Sequence, residues 1–383
     1  MMPDSGKFLL ELFLMFSAGK LLAEGCERLA QPGVLGEVLA GVVLGPSVLA
    51  LVRPDGLTRG MAEIGAIFLL FTVGLETSPR KLLRAGRTAT LVALLGVIFP
   101  FAVGWLYMRF SAHGLPESMF VGAAMVATSV GITARVLRDG GLLGTRMAEV
   151  ILGAAVLDDI LGLIALAVVS DLSHGSVNYL QLGALAGEAI AFNLIVLLLG
   201  PRLVRRVRPA VALLRARNSA FILSVILCLG LSLASIYAGM AAIIGAFLAG
   251  LALADPSEEW RLRETTHPIS EFTTPFFFVF LGVQMDLRAA VAPAALRTAI
   301  VICLLAIASK VVGCGLGSSG LGWKTALEVG VGMAPRGEVG LIIAAAGLGL
   351  HAISPAIYGV VLIMSVVTTL VTPPALRLLL RRS

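Results

Sequence analysis

Apolar runs dominate this sequence and decide what it can fold into. A helix needs about 20 apolar residues to cross the hydrocarbon core of a bilayer. Thirteen runs of roughly that length lie at 7–29, 33–52, 61–76, 87–110, 118–138, 147–170, 180–200, 219–237, 239–254, 268–285, 292–315, 323–350 and 354–376. Only 14% of the residues are charged, whereas soluble proteins have about 25%. We therefore predict an all-α polytopic membrane protein of about thirteen transmembrane helices, which excludes the water-soluble enzyme classes.

The basic residues are distributed unevenly between the loops that join these spans. The odd-numbered loops and the C-terminal tail carry 20 Lys and Arg, whereas the even-numbered loops and the N-terminus carry 6. Lys and Arg concentrate in the loops that stay in the cytoplasm. The sequence therefore predicts a cytoplasmic C-terminus and an N-terminus outside.

Two adjacent carboxylates, Asp158 and Asp159, lie in the middle of the sixth span. A charge at mid-bilayer costs at least about 2.5–3.5 kcal/mol, so an ionisable residue there is by default a functional hypothesis. Adjacent residues of a helix point about 100° apart, so this pair cannot share one proton as the aspartic protease pair does. A buried carboxylate that binds Na⁺ when ionised and is neutral when protonated exchanges the two ions. Asp158 and Asp159 are therefore candidate ligands for Na⁺ and H⁺.

Spans five and twelve both contain residues that interrupt a helix inside the membrane. Span five reads Ala-Thr-Ser-Val-Gly-Ile-Thr over 127–133, and span twelve reads Gly-Met-Ala-Pro-Arg-Gly-Glu over 332–338. Proline removes a backbone donor and glycine weakens a helix. In lipid, freed backbone groups are tolerated only where they are buried in protein or line a cavity. One kink would be ordinary, but two interruptions beside an acidic pair indicate a transport site.

The interrupted spans occupy matching positions in an internal repeat. Residues 36–44 align with 245–253 through a shared Gly-x-x-Leu-Ala-Gly pattern, and 62–74 resemble 269–282. Spans two to six would then correspond to spans nine to thirteen, with opposite orientation in the membrane. Inverted five-helix repeats suit alternating access around a midplane site. The alternative is that Gly-, Ala- and Leu-rich helices resemble one another by composition.

Charged residues in the other spans fall into two groups. Lys310 lies well inside span eleven and requires a carboxylate partner. The natural candidate is whichever of the two aspartates does not face the ion. Lys310 could also lose its proton when a cation binds to that carboxylate and removes it as a partner. The alternative for Lys310 is snorkelling to an interface. Arg336 and Glu338 are interpreted as an ion-pair network at the break in span twelve. Charges near span ends are interpreted as solvated: Glu37, Glu63, Glu76 and Asp286.

These segments resemble the CPA2 branch of the monovalent cation/proton antiporters over nearly the whole chain. The most specific matches are 127–137, 151–159, Ser309-Lys310 and 335–341. The resemblance implies a homodimer in which a core ion-transport domain moves against a dimerisation domain. The implied dimerisation domain comprises 1–76 and 219–285, the core comprises 87–170 and 292–383, and the linker helix is 180–200.

The resemblance also implies roles for individual residues. Asp159 would be the main ion carrier, and Asp158 would pair with Lys310 when no ion is bound. Thr128 would lie at the unwound crossing, with Ser129 as a further candidate ion ligand and Thr133 in the supporting network with Arg336 and Glu338. An aspartate pair with a lysine goes with electrogenic exchange of more than one proton per Na⁺ in this family, whereas relatives with a single acid tend to be electroneutral.

We therefore expect a Na⁺(Li⁺)/H⁺ antiporter of a prokaryotic plasma membrane, driven by the proton gradient without ATP or any cofactor. The expected partners are Na⁺, H⁺, membrane lipid and a second copy of the chain, with no nucleic acid and no soluble regulatory domain. A K⁺/H⁺ antiporter stays open, although potassium-efflux relatives usually carry a nucleotide-binding domain that is not evident here. An intramembrane aspartyl protease needs aspartates on different helices, and a channel needs a continuous pore, so both fit less well.

Overall fold

The computed structural model describes residues 4–29, 31–46, 48–173, 179–212, 218–284 and 293–381. Within these ranges the secondary structure is helical throughout, with fifteen α-helices and one 3₁₀ turn at Ser319–Leu321. The α-helices are α1 (Asp4–Arg28), α2 (Gly33–Leu44), α3 (Gly56–Glu76), α4 (Pro79–Phe110), α5 (Leu115–Ala124), α6 (Val130–Asp139), α7 (Arg146–Ser173), α8 (Tyr179–Ala212), α9 (Ser219–Tyr237), α10 (Ala242–Ala252), α11 (Leu262–Val283), α12 (Pro293–Gly317), α13 (Trp323–Gly332), α14 (Glu338–Gly349) and α15 (Pro355–Arg381).

Each of the thirteen predicted spans coincides with one helix or with two half-length helices. Span five is divided into α5 and α6, and span twelve into α13 and α14, so both interruptions are present. Seven helices in the described part of the chain are long and apolar enough to cross a membrane, and α2 and α10 are shorter apolar helices. The protein is therefore a helical multi-pass membrane protein. The number of crossings stays a prediction.

Some predicted boundaries are wrong. The span predicted at 180–200 continues as α8 to Ala212, because apolar residues recur between its arginines and extend the helix beyond the apolar run. The spans predicted at 33–52 and 239–254 are shorter, since α2 ends at Leu44 and α10 comprises Ala242–Ala252. The span predicted at 87–110 is longer, since α4 begins at Pro79.

The helices pack in two groups. The first group contains α4, α5, α6, α7, α12, α13, α14 and α15, and the second contains α1, α2, α3, α9, α10 and α11. Helix α8 contacts α7 of the first group and both α9 and α10 of the second. The groups meet where α6 packs on α2 and α3, and where α15 packs on α2. They follow the segments predicted as core and dimerisation domains, whose roles stay predictions.

Glycines bring helices of the second group into backbone contact. A Cβ added to Gly41 would overlap the Val279 carbonyl of α11, and one added to Gly282 would overlap the backbone of α2 in return. Gly74 of α3 and Gly250 of α10 face each other in the same way. In the repeat alignment Gly41 corresponds to Gly250 and Gly74 to Gly282, so equivalent glycines form equivalent crossings. This arrangement supports the proposed repeat.

We expect Gly41→Ala to lower thermal stability, because its new methyl group has no space against α11. Overpacking of this kind costs about 1–3 kcal/mol. The measurement is the temperature at which detergent-solubilised protein loses its monodisperse elution peak. Gly230→Ala in α9 is the matched control, since a Cβ there meets nothing within 4 Å. Equal melting of the two variants would contradict the backbone-contact argument.

Helix α3 begins at a capping box formed by Asp55 and Thr58. The Thr58 N–H donates to the Asp55 carboxylate at 2.8 Å, and the Asp55 N–H donates to Thr58 Oγ1 at 3.1 Å. The hydrogen bond from the Thr58 backbone holds the pKa of Asp55 below its ordinary value. The cap fixes the start of α3, whose first turns line a cavity described below.

Candidate ion-binding site

The two interruptions meet inside the first group of helices. Residues 125–129 separate α5 from α6, and residues 333–337 separate α13 from α14. Three hydrogen bonds join span five to span twelve at this place: Ser129 N–H to Pro335 O (2.9 Å), Thr128 Oγ1 to Met333 O (3.3 Å) and Thr133 Oγ1 to Gly332 O (2.5 Å). Thr128, Ser129 and Thr133 therefore lie at the crossing, and their roles in ion binding stay predictions.

Four helix ends converge at this crossing. Helices α5 and α13 end there with carbonyl groups that have no partner within the helix, and α6 and α14 begin there with N–H groups that have none within theirs. Partial charges of both signs are therefore concentrated at one place. Ser129 Oγ is buried and has no hydrogen-bond partner among the described residues. Gly337 packs on it so closely that a Cβ at position 337 would lie 2.6 Å from Ser129 Oγ.

Lys310 of α12 is paired with Asp158 of α7 at the centre of the first group. Lys310 Nζ donates to Asp158 Oδ1 at 2.8 Å, and to the carbonyls of Gly96 and Val126, also at 2.8 Å. These three bonds match the three donors of an ammonium group. Lys310 has 0% exposure and Asp158 2%, so the lysine does not snorkel to an interface.

Asp159 points away from this pair, toward the second group of helices. Its side chain is partly exposed, and its Oδ2 accepts a long hydrogen bond of 3.5 Å from the Ala241 N–H. The two neighbouring carboxylates therefore have different surroundings, as their helical spacing predicts. Only Asp159 lies at the boundary between the two groups.

A cavity of about 580 Å³ lies between the two groups and includes Ala241 in its wall. Its polar lining residues are Arg59, Glu63, Gln284 and Tyr358, and much of the remaining wall is apolar. We call the helix ends joined by the odd-numbered, Lys- and Arg-rich loops the basic end, and the helix ends joined by the even-numbered loops the opposite end. The four polar lining residues all lie at the opposite end. The cavity thus leads from the opposite end toward Asp159.

Arg336 is fully buried in the break between α13 and α14. Its guanidinium donates to the carbonyls of Met333 and Ala306, both at 3.3 Å. Ala306 lies one turn before Lys310, so Arg336 connects the interrupted span to the helix that carries the lysine. Arg336 and Glu338 were predicted to form an ion-pair network at the break, by pairing with each other or with neighbouring groups. That pairing stays a prediction, because the Glu338 side chain lies outside the described part of the structure, although its backbone begins α14.

The sequence reasoning missed several groups that hold the site. Thr368 and Thr369 of α15 fix the backbone of Arg336, through Arg336 N–H to Thr368 Oγ1 (3.0 Å) and Thr369 Oγ1 to Arg336 O (2.8 Å). The sequence feature that could have indicated this role is the occurrence of two adjacent threonines in an otherwise apolar span. The acceptor carbonyls of Gly96 and Val126 leave no signal in the sequence, since every residue has a carbonyl.

Crossed half-helices beside a buried lysine–aspartate pair define the architecture of a secondary transporter. The chain belongs to the sodium/hydrogen exchanger family, because a family model described as "Sodium/hydrogen exchanger, transmembrane" matches residues 13–382. This family consists of transporters.

Individual relatives agree with this assignment. The chain is 37% identical to the high-affinity Na⁺/H⁺ antiporter NhaS3 of Synechocystis, with 96% of this chain and 89% of the relative covered. It is 32% identical to the Na⁺/H⁺-K⁺ antiporter GerN of Bacillus cereus, with 97% and 96% covered. The fold is similar to that of the sodium proton antiporter MjNhaP1 of Methanocaldococcus jannaschii, with a TM-score of 0.70, 20% identity, and 98% and 100% of the two chains covered.

Proposed function

We propose that this protein is an electrogenic Na⁺(Li⁺)/H⁺ antiporter of a prokaryotic plasma membrane, with a cytoplasmic C-terminus. The observation that carries the proposal is the separation of the two carboxylates. Asp158 is paired with a buried lysine, whereas Asp159 accepts a hydrogen bond from Ala241, a residue in the wall of the cavity. Na⁺ and H⁺ would compete for Asp159, with Thr128 and Ser129 as neighbouring oxygen ligands and Asp158 as a second carboxylate.

The balance of charge at the crossing supports electrogenic exchange. Among the side chains described there, Asp158 and Asp159 are acidic, and Lys310 and Arg336 are basic. This set is neutral when all four are ionised. Adding Na⁺ leaves one positive charge in surroundings where an unbalanced charge is costly. Release of a proton from Lys310 restores neutrality, which couples one Na⁺ to one proton. Asp159 would carry a second proton in the state without Na⁺, and the exchange of two protons for one Na⁺ is then electrogenic.

Alternating access would come from movement of the first group of helices against the second. The cavity lies between the two groups at the opposite end, whereas at the basic end Arg138 of α6 donates a hydrogen bond across the boundary to Ser270 of α11. This arrangement fits a state open at one end only. We further propose a homodimer assembled through the second group, and transport that needs no cofactor.

Transport by the reconstituted protein tests this proposal. Proteoliposomes containing a pH-sensitive dye are placed under a proton gradient, and Na⁺, Li⁺ or K⁺ is added. We expect Na⁺ and Li⁺ to move protons and K⁺ to be much less effective. No response to any cation would overturn the antiporter proposal. A K⁺ response as large as that to Na⁺ would favour the second candidate, a Na⁺/H⁺-K⁺ antiporter, which the similarity to GerN suggests.

A further inference from the structure

Met240 and Ala241 directly precede α10 and belong to the wall of the cavity between the two groups. Side chains of three other helices make hydrogen bonds to them. Asn193 of α8 donates from Nδ2 to Met240 Sδ at 3.1 Å, and Ser235 of α9 donates to the Ala241 carbonyl at 2.9 Å. Asp159 of α7 accepts from the Ala241 N–H at 3.5 Å. Of these three contacts, the one made by Asp159 links the first group of helices to the second.

The Ala241 N–H is available to Asp159 because helix α10 has no side-chain cap. Ala241 is the N-cap residue of α10, and its methyl side chain accepts no hydrogen bond from the helix. The first N–H groups of a helix have no carbonyl partner within it, and the partial positive charge at this end stabilises a nearby anion. The turn is also held in place, since the Met240 N–H donates to the Ser235 carbonyl at 3.0 Å. A fixed donor at the start of α10 is thus paired with the carboxylate of Asp159.

This hydrogen bond favours the carboxylate that carries no ion. A hydrogen bond to an ionised group is stronger than one to a neutral group, so protonation of Asp159 weakens the contact. A bound Na⁺ weakens it as well, because the cation attracts charge from the same carboxylate and repels the positive end of the N–H dipole. Na⁺, H⁺ and the Ala241 N–H therefore compete for Asp159.

We propose that the Ala241 N–H is a positioning group that holds the Asp159 carboxylate while it carries neither Na⁺ nor H⁺, and that each ion binds at the expense of this hydrogen bond. The proposal rests on the proposed function, in which Asp159 carries both ions. Since the hydrogen bond crosses the boundary between the two groups, it joins them most strongly while the carboxylate is empty. Loading of Asp159 therefore loosens this contact between the groups.

Ala241→Pro removes this N–H and keeps the path of the backbone. Proline holds φ at about −65°, and Ala241 has φ −64° and ψ 142°. The carbonyl of residue 241 stays in place for its hydrogen bond from Ser235. Melting of the detergent-solubilised protein is followed over a series of Na⁺ concentrations, with choline keeping the ionic strength constant, because stabilisation by a ligand depends on its concentration relative to Kd. We expect the Kd for Na⁺ to fall at least about threefold, since the competing donor is gone.

Tighter binding separates the proposed competition from structural damage, which would weaken binding. Ala242→Pro is the matched control, because it removes the next N–H and places proline at the first helical position, where proline is favoured; it should bind Na⁺ as the wild type does. Ser235→Ala frees the turn and should tighten binding by a smaller factor, and it decides the question if Ala241→Pro does not elute as a monodisperse peak. Unaltered or weaker binding would overturn the proposal, as would equal tightening in Ala242→Pro. The melting curves need no transport, so a wild type that binds Na⁺ without exchanging protons would overturn the proposed function and leave the Ala241 result standing.

Discussion

Asp159→Asn is expected to abolish cation-dependent proton movement, with a fall in rate of about 100-fold or more. Asparagine keeps the shape of the side chain but can neither hold a proton at this position nor neutralise Na⁺. A hydrogen bond or ion contact to a charged group contributes about 1.5–3 kcal/mol, and each 1.4 kcal/mol corresponds to about tenfold in binding. The measurement is the dye response of proteoliposomes to Na⁺ and Li⁺.

Two variants accompany that test. Asp159→Glu keeps a carboxylate and should retain measurable exchange with weaker cation affinity, because the longer side chain displaces the ligand oxygens. Asp255→Asn removes an exposed carboxylate from the connection between α10 and α11, and should transport as the wild type does. Unaltered exchange in Asp159→Asn would show that Asp159 is not the ion carrier.

Lys310→Gln is expected to separate exchange from the membrane potential. If Lys310 releases the additional proton when Na⁺ binds, its removal makes the exchange one for one and electrically silent. Wild-type rates should change when a potential is imposed across the proteoliposome membrane, and the rates of the variant should not. A variant that still responds to the potential would rule out Lys310 as the additional proton carrier.

The same substitution leaves Asp158 buried without its partner, which costs about 3–5 kcal/mol when one side of a buried ion pair is removed. We therefore expect a lower melting temperature for Lys310→Gln in detergent. Replacing both partners, with Lys310→Gln and Asp158→Asn together, should recover much of that loss because no unpaired charge remains. A double variant less stable than Lys310→Gln would contradict this account of the pair.

Apolar runs, together with proline and glycine positions, predicted much of the helical framework. Pro335 and Gly337 marked one interruption, and both interruptions are present in the structure. Helix ends were harder to predict, because α8 continues through its arginines to Ala212. Amphipathic turns of this kind are helical without being continuously apolar, so a search for apolar runs ends too early.

The part of the site that could be predicted from the sequence is the contact in which a buried charged side chain requires a partner of opposite charge. Lys310 needed a carboxylate in the membrane, and Asp158 is the one it contacts. The rest depends on how backbones approach each other: Gly96 accepts from Lys310 because its lack of a side chain lets α4 and α12 come close. The interpretation of Glu37 as solvated is wrong, since it has 1% exposure. Its burial was unpredictable for a related reason, because its position near a helix end gave no sign of the helices that cover it.

The backbone contacts at Gly41, Gly74, Gly250 and Gly282 determine which parts of the molecule can deform. Where two main chains touch directly, no intervening side chain can change rotamer to absorb a displacement, and sliding would force carbonyl oxygens into each other. Helices α2, α3, α10 and α11 are thus joined as a stiff frame. Changes of shape are then expected where α6, α8 and α15 meet this frame. Pairs of spin labels placed on α2 and α11 should keep one separation throughout the cycle, and pairs placed on α2 and α6 should not.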